Sequence, residues 1–105
     1  MEITLITVLC SDAAQAKHIA QRLIDNRLVA CANYASTTSM YVWDDSLQEH
    51  DEVVLTLKTL SSHASVVVQE IQTMHSYTTP YIASSLVQVS DSYAAWMRTQ
   101  VKNPL

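Results

Sequence analysis

The sequence predicts a single α+β domain of the ferredoxin-like, split βαβ type, in which an antiparallel sheet carries two helices on one face. The apolar patterns follow the order strand, helix, strand, strand, helix, strand, and a short helix closes the chain. With 105 residues, 49% of them hydrophobic, the chain can build one core and has no room for a second domain. Right-handed crossovers in both halves place the two main helices on the same side of the sheet.

The first strand is predicted over residues 3 to 10, and because both of its faces are apolar, we expect it to occupy an inner position in the sheet. Ser11 or Asp12 then offers an N-cap for the first helix. The apolar face of that helix is formed by Ala16, Ile19, Ala20 and Leu23. We expect the helix to end at Asn26-Arg27, with Asn26 as the residue that tolerates a left-handed conformation.

Two further strands, residues 29 to 43 and 52 to 59, are predicted from β-branched, aromatic and alternating apolar side chains. The turn sequence D-D-S lies between them, so the two strands are expected to form a long hairpin. Half of the acidic residues then fall at its tip: Asp44, Asp45, Glu49, Asp51 and Glu52. We interpret this tip as a solvated, charged edge, to which His50 adds at most a weak surface metal site.

The second half of the chain predicts a helix, a strand and a short closing helix. The helix starts near Ser61 and ends before Pro80, which blocks its continuation. Its inner face is formed by Ala64, Val67, Val68, Ile71 and Met74. Residues 82 to 89 predict the last strand, and Ser90 with its neighbour Asp91 caps the closing helix. That helix presents Tyr93, Trp96 and Met97, and the tail after Gln100 has no feature.

Composition excludes several classes of function. Six basic residues against ten acidic ones give a net charge of −4 and no basic run, so we expect no nucleic-acid partner. The chain has no glycine, although average usage is about 7%. Phosphate-binding loops, dinucleotide-binding turns and nucleophile elbows are therefore excluded. Because no activated nucleophile or matched pair of carboxylates is evident either, we expect no enzyme and no organic cofactor.

The two cysteines indicate a reducing environment. Cys10 and Cys31 are 21 positions apart, which is not the short spacing of a zinc site, so we interpret both as free thiols. The strand pattern begins at Ile3, and no apolar run approaches the length of a membrane span. We therefore expect neither a signal peptide nor a membrane association, and a cytoplasmic location.

The sheet face opposite the helices also has a consequence for assembly. The first strand is apolar on both faces, and much of the third and fourth strands is apolar too. No further element of the chain is left to cover the second face, so the simplest cover is another copy of the same chain. The sequence therefore predicts a homo-oligomer.

Candidate metal ligands are Cys10, Met74 and His75. Each has an ordinary structural interpretation, as a buried cysteine, a core methionine and a helix-end histidine. The split βαβ order nevertheless brings the end of the first strand near the loop before the fourth strand. Thiol, thioether and imidazole together are the soft ligand set that suits copper. Lys58, at the end of an apolar strand, either extends along the surface or faces an anion in a cleft.

Six segments lie in order along nearly the whole chain and carry a family resemblance. They are residues 8 to 10 (VLC), 30 to 33 (ACAN), 39 to 43 (SMYVW), 52 to 59 (EVVLTLKT), 75 to 80 (HSYTTP) and 93 to 96 (YAAW). Together they resemble the CutA family of divalent-cation tolerance proteins. The chain departs from the family pattern at Ser76, which stands in place of a proline, and at Tyr81, which stands in place of an acid that could orient a ligand. It also has Met74 where some members have a second histidine, and it lacks two glycines often found at the hairpin.

The resemblance implies a ferredoxin-like subunit that forms a homotrimer with the second sheet face at its centre. It also implies binding of copper or other divalent cations through Cys10 and His75. The architecture is similar to that of the nitrogen-regulatory PII proteins, whose trimers bind small ligands in clefts between subunits. The residues that match such a cleft here are Trp43, Lys58, His75 and Tyr77.

Three functional hypotheses follow. The first is a non-enzymatic, metal-responsive trimer that binds copper or another divalent cation through Cys10 and His75, with Met74 as a possible third ligand. The second is a PII-like signalling module that binds a small anionic metabolite, with charge from Lys58 and stacking surfaces from Trp43 and Tyr77. The third is a trimer that only scaffolds a protein partner.

Overall fold

A computed structural model describes residues 1–102 of the chain. Its elements, in chain order, are β1 (Glu2–Cys10), α1 (Ala13–Asp25), β2 (Cys31–Trp43), β3 (Ser46–Thr59), a 3-10 turn (Ser61–His63), α2 (Ala64–Met74), β4 (Ile82–Gln88) and α3 (Asp91–Gln100). The four strands form one antiparallel sheet in the order β2-β3-β1-β4. This order confirms the predicted split βαβ arrangement and the inner position of β1.

The helix α1 begins and ends for reasons that are visible in the sequence. Asp12 is the N-cap, and its Oδ1 accepts a hydrogen bond of 2.8 Å from the backbone N–H of Gln15. At the other end, the left-handed residue is Arg27, with φ 57°, whereas Asn26 has φ −82°. The prediction for Asn26 is therefore wrong. The strained conformation of Arg27 is offset by its side chain, which donates hydrogen bonds to the carbonyls of Thr99 and Gln100.

The hairpin of β2 and β3 is longer than predicted. Asp44 and Asp45 have φ values of 51° and 60°, which are the left-handed angles of a two-residue type I′ turn. Pairing starts immediately at Trp43 and Ser46, so β3 begins six residues before the predicted strand. The backbone ladder with β2 holds this polar segment in a strand despite its weak apolar alternation.

This register corrects the predicted acidic tip. Only Asp44 and Asp45 occupy the turn, while Glu49 and Asp51 are exposed on β3. Glu52 is buried, with a relative exposure of 7%, and so does not belong to a solvated tip.

The main core lies between the sheet and the helices α1 and α2. Its buried strand residues alternate along β1 and β3, and α1 contributes the predicted face of Ala16, Ile19, Ala20 and Leu23. Within α2, Val67 and Ile71 are fully buried, whereas Val68 and Met74 only pack against the core edge. The predicted start of this helix at Ser61 is a 3-10 turn, and the α-helix proper begins at Ala64.

The opposite side of the sheet, which we call the open face, is only partly covered. By register, the open face carries Leu5, Thr7, Leu9, Val54, Thr56, Lys58, Ala83 and Val87. These side chains are half-buried in the single chain. They form a largely apolar surface across β3, β1 and β4, as the sequence predicts.

The C-terminal segment is more ordered than predicted. Ser90 caps α3, whose buried residues are Ala94 and Met97, while Trp96 stays exposed. Val101 is buried, and the Lys102 carbonyl lies 2.6 Å from Nε2 of the buried His63. The prediction of a featureless tail is therefore wrong for these two residues, and its remainder lies outside the described part of the chain. Within residues 1–102, no helix is long and apolar enough to cross a membrane.

Candidate functional site

The candidate site lies at the end of β1, where the segment after α2 crosses the edge of the sheet. His75 is the C-cap of α2, and its Nε2 is 2.7 Å from the carbonyl oxygen of Leu9. Its Nδ1 accepts a hydrogen bond of 3.0 Å from the backbone N–H of Tyr77. Because a carbonyl only accepts and an N–H only donates, these two bonds fix a neutral imidazole that carries its proton on Nε2.

Cys10 is the last residue of β1 and is fully buried. Burial raises the pKa of its thiol to about 11, and the negative charges of Asp12 and Glu52 contribute to the same shift. The thiol is therefore protonated at neutral pH. The hydrogen bond between His75 and Leu9 holds the imidazole beside this end of the strand, so the structure brings the two predicted ligands to the same region.

Met74 lies at the last position of α2 and packs against the core cluster that includes Cys10. Its half-buried thioether thus occupies the position expected of a gap-filling core residue. In the part of the chain that the structure describes, no group of three or more His, Cys, Asp or Glu side chains could hold a metal ion. The predicted ligands Cys10 and His75 of a single chain therefore amount to one thiol and one imidazole.

Glu52 is the residue that sequence reasoning missed. The Tyr77 hydroxyl donates a hydrogen bond of 2.9 Å to its Oε2, and Nε2 of His50 lies 4.0 Å from its Oε1. Burial and the bond to Glu52 raise the pKa of Tyr77 to about 12, so its hydroxyl remains a donor. The Tyr41 hydroxyl lies 3.2 Å from the same His50 nitrogen. One available signal was the position of Glu52 directly before the alternating apolar run of β3.

These side chains line a cavity of about 630 Å³ on the open face. Its apolar wall includes Leu9 and Met40, and its polar groups are those of Glu52, His50, two hydroxyl residues and three tyrosines: Ser39, Thr79, Tyr41, Tyr77 and Tyr81. The volume lies within the range of small-ligand sites. The cavity connects the hairpin to the segment that carries His75.

The predicted cleft residues are not assembled within one chain. Trp43 is 66% exposed at the hairpin turn, where it pairs with Ser46. Ser46 lies twelve positions before Lys58 on β3, so at about 3.3 Å per residue Trp43 and Lys58 are roughly 40 Å apart. The Nζ atom of Lys58 instead lies 3.4 Å from Oδ1 of Asn33 and 5.6 Å from the ring centre of Tyr93.

Comparison with known proteins gives one consistent result. The model of the family described as CutA1 divalent ion tolerance protein matches residues 4–100. The divalent-cation tolerance protein CutA of Escherichia coli O45:K1 is 31% identical over 103 residues, which cover 94% of this chain and 92% of that protein.

Solved structures agree in fold. CutA1 from Ehrlichia chaffeensis is 31% identical with a TM-score of 0.90, over 92% of both chains. The protein from Archaeoglobus fulgidus, described as a periplasmic divalent cation tolerance protein CutA, is 28% identical with a TM-score of 0.90 over 97% of this chain and 100% of that one. The Pyrococcus horikoshii CutA1 structure reaches a TM-score of 0.91 at 26% identity, over 95% and 99% of the two chains.

Proposed function

Because this chain belongs to the CutA1 divalent ion tolerance family, we propose that it is a metal-responsive protein that binds copper or another divalent cation and catalyses no reaction. The proposal rests on one observation above all. The bond of 2.7 Å between His75 Nε2 and the Leu9 carbonyl ties an imidazole to the residue that precedes the Cys10 thiol. Thiolate and imidazole are donors that suit copper and other soft or borderline cations.

Both donors must change state before they can bind an ion. Cys10 has to lose its proton, and His75 has to give up the hydrogen bond that its Nδ1 or its Nε2 makes now. Because one proton is displaced from Cys10, the apparent copper affinity is expected to rise about tenfold per pH unit in the neutral range. Met74 can add its thioether only if it leaves the core edge.

We further propose that the functional unit is a homotrimer assembled through the open face. The half-buried apolar residues of that face, among them Leu5, Leu9 and Val54, support this assembly. Exposed apolar side chains near the hairpin turn, such as Val42 and Leu47, add to the surface that a second copy would cover. Other copies could also complete a ligand set that is partial in one chain.

The metal assignment is tested by competition between the protein and a chromophoric Cu(I) chelator under anaerobic conditions. Cys31 is a half-exposed thiol that would also bind copper, so the parent for this test is Cys31→Ala. Adding Cys10→Ala or His75→Ala should weaken binding at least tenfold, whereas adding His18→Ala, on the exposed side of α1, should not. Affinities within threefold of the parent for both ligand variants would contradict the assignment.

A second candidate function is a PII-like trimer that binds a small anionic metabolite between subunits. Lys58 supports it, because its ammonium group lies on the open face and forms no ion pair with any carboxylate of residues 1–102. Trp43 and Tyr77 would then be supplied by other copies. A nucleotide that raises the melting temperature, where copper does not, would favour this function, and Lys58→Ala should remove that increase.

We propose a cytoplasmic location, which the two free thiols Cys10 and Cys31 support. The relative from Archaeoglobus fulgidus is described as periplasmic, so the location needs a direct test. Fractionation of cells should recover the protein with cytoplasmic markers, and recovery with periplasmic markers would contradict this proposal.

A further inference from the structure

One side chain joins the two residues that follow the predicted metal ligands. Ser11 comes directly after Cys10 in the chain, and Ser76 comes directly after His75. The side-chain oxygen Oε1 of Gln15 accepts a hydrogen bond of 2.8 Å from the backbone N–H of Ser11. Its Nε2 donates a hydrogen bond of 2.7 Å to Oγ of Ser76. We call these two bonds the Gln15 bridge.

The helix α1 holds the bridging side chain in place. Gln15 is half-buried in the first turn of α1, and its backbone N–H donates a hydrogen bond of 2.8 Å to Oδ1 of the N-cap Asp12. Because the backbone N–H of Ser11 can only donate, Oε1 must face it, and the amide nitrogen then faces Ser76. The bridge starts from the helix side of the sheet and uses no residue of the open face.

Ser76 supplies the far end of the bridge with its hydroxyl oxygen. This residue stands in place of the proline of the family pattern, and a proline ring would fix the backbone angle φ at this position. Serine does not restrict φ in this way. The hydrogen bond from Gln15 therefore restrains a segment that lacks the proline ring.

His75 requires this restraint because its ring must exchange one partner when it binds an ion. Metal-binding histidines commonly donate their other ring N–H to a backbone carbonyl or carboxylate. Nε2 of His75 already has such a partner in the carbonyl of Leu9, at 2.7 Å. Nδ1 is then the nitrogen for the ion, and it must first lose the hydrogen bond from the backbone N–H of Tyr77. The chain therefore has to shift at Tyr77 while His75 stays at the end of β1.

We propose that Gln15 is a positioning residue of the metal site, which holds Ser76 so that His75 keeps its place while Tyr77 moves away from Nδ1. The inference rests on the proposed metal function and extends it to a residue that binds no ion itself. Without the bridge, the segment that carries His75 would have to be ordered at the moment of binding, which weakens the affinity.

The first measurement uses the metal-free protein and follows hydrogen exchange of the Tyr77 amide by NMR. Gln15→Met keeps the length of the side chain and removes both bonds of the bridge, and Ser76→Ala removes one. Both variants should exchange at least about threefold faster, because the segment opens more often. Gln15→Glu should restore the parent rate, since a carboxylate can accept hydrogen bonds from both serine partners. The matched control, Gln21→Met on the exposed side of α1, should exchange as the parent does.

The second measurement is competition for Cu(I) with the chromophoric chelator, in the Cys31→Ala parent. Gln15→Met and Ser76→Ala should weaken copper binding about three- to tenfold, the cost of ordering one freed segment. The combined variant should bind no more weakly than Gln15→Met alone, because both changes act on the same bond. Gln15→Glu should bind at least as tightly as the parent, and Gln21→Met should bind equally tightly.

The two measurements separate the positioning role from the metal function. Equal Tyr77 exchange rates in the parent and in Ser76→Ala would overturn the bridge, whatever the copper result. Parent-like copper affinity in Gln15→Met, with weaker binding in Cys10→Ala and His75→Ala, would overturn the positioning role and leave the metal function standing. A parent that binds no copper would overturn both, and faster exchange in the variants would then identify the bridge as a structural link alone.

Discussion

The imidazole of His75 is a structural link before it is a metal ligand. Its two nitrogens join the end of β1 to the segment after α2, through the Leu9 carbonyl and the Tyr77 amide. Both partners are backbone groups, so a change of side chain at position 75 leaves them without their hydrogen bonds. The same bonds that bring this residue to the site therefore stabilise the fold around it.

His75→Ala should lower the free energy of unfolding by about 1–3 kcal/mol, because two partly buried backbone groups lose their partner. Urea unfolding at one fixed protein concentration measures this difference, since the stability of an oligomer depends on concentration. His18→Ala on the exposed side of α1 is the control and should change the midpoint little. Equal stability of the two variants would show that the imidazole does not hold this junction.

The buried thiol of Cys10 should make the protein less stable in alkaline solution. Burial raises the pKa of its thiol from 9.0 to about 11 in the folded chain, so folding favours the protonated form. The contribution of the protonated thiol to the free energy of unfolding is complete below pH 9 and is lost as the pH rises from about 9 through 11. Urea midpoints at pH 8 to 11 should therefore fall less steeply for Cys10→Ala than for the parent. Cys31→Ala should keep the steep fall, and identical slopes for all three proteins would refute this account.

Single residues also mark the limit of what the sequence predicts. The positions of Cys10 and His75 at a strand end and a helix end were predictable from the split βαβ order, and their role as ligands stays a prediction. The burial of Glu52 was not predictable, since it depends on Tyr77 arriving from 25 positions away. Arg27 was missed for a similar reason, because its left-handed conformation is offset by distant carbonyls at the end of α3.

Among the elements, the hairpin departs most from expectation. The first half of β3 is polar, and its strand structure depends on pairing with β2 rather than on its own apolar pattern. The helices α1 and α3 were predicted closely because their caps, Asp12 and Ser90, are local signals. The capped helix starts were thus predictable, and so were the strands with an apolar pattern of their own, whereas the polar first half of β3 was not.

The hairpin turn predicts a stabilising substitution. Asp44 and Asp45 both have positive φ. This conformation is strained for a residue with a Cβ atom and is not strained for glycine. Asp45→Gly should therefore raise the free energy of unfolding by roughly 0.5–1 kcal/mol. Ser46→Gly, one position later in the strand, is the control and should not stabilise the protein. An unchanged or lower urea midpoint for Asp45→Gly would contradict the strained turn.

At the scale of the whole molecule, the open face is the main feature that one chain leaves unresolved. The sheet has helices α1 and α2 on one side, and the other side exposes a band of half-buried apolar side chains. A predominantly apolar face of this extent fits assembly better than a monomer in water. The apolar composition of β1 on both faces is the sequence signal for the proposed assembly.

A charge placed on the open face should break the assembly. Val54 lies in the middle of β3, opposite Leu9 on one side and Ala35 on the other. Val54→Asp would place one carboxylate per chain in the proposed apolar interface, so sedimentation should detect trimers of the parent and single chains of the variant. Gln21→Asp, on the exposed surface of α1, should leave the trimer intact. A trimer that tolerates Val54→Asp would mean that another surface holds it together.

Native mass spectrometry of the copper-loaded protein tests the central claim most directly, because one spectrum counts both chains and ions. The Cys31→Ala parent is loaded with Cu(I) under anaerobic conditions. We expect a particle of three chains that carries three copper ions. The same particle should carry none after the further change Cys10→Ala. Three chains with equal copper in both proteins would contradict the assignment of Cys10, and a parent that retains no copper would contradict copper as the bound ion.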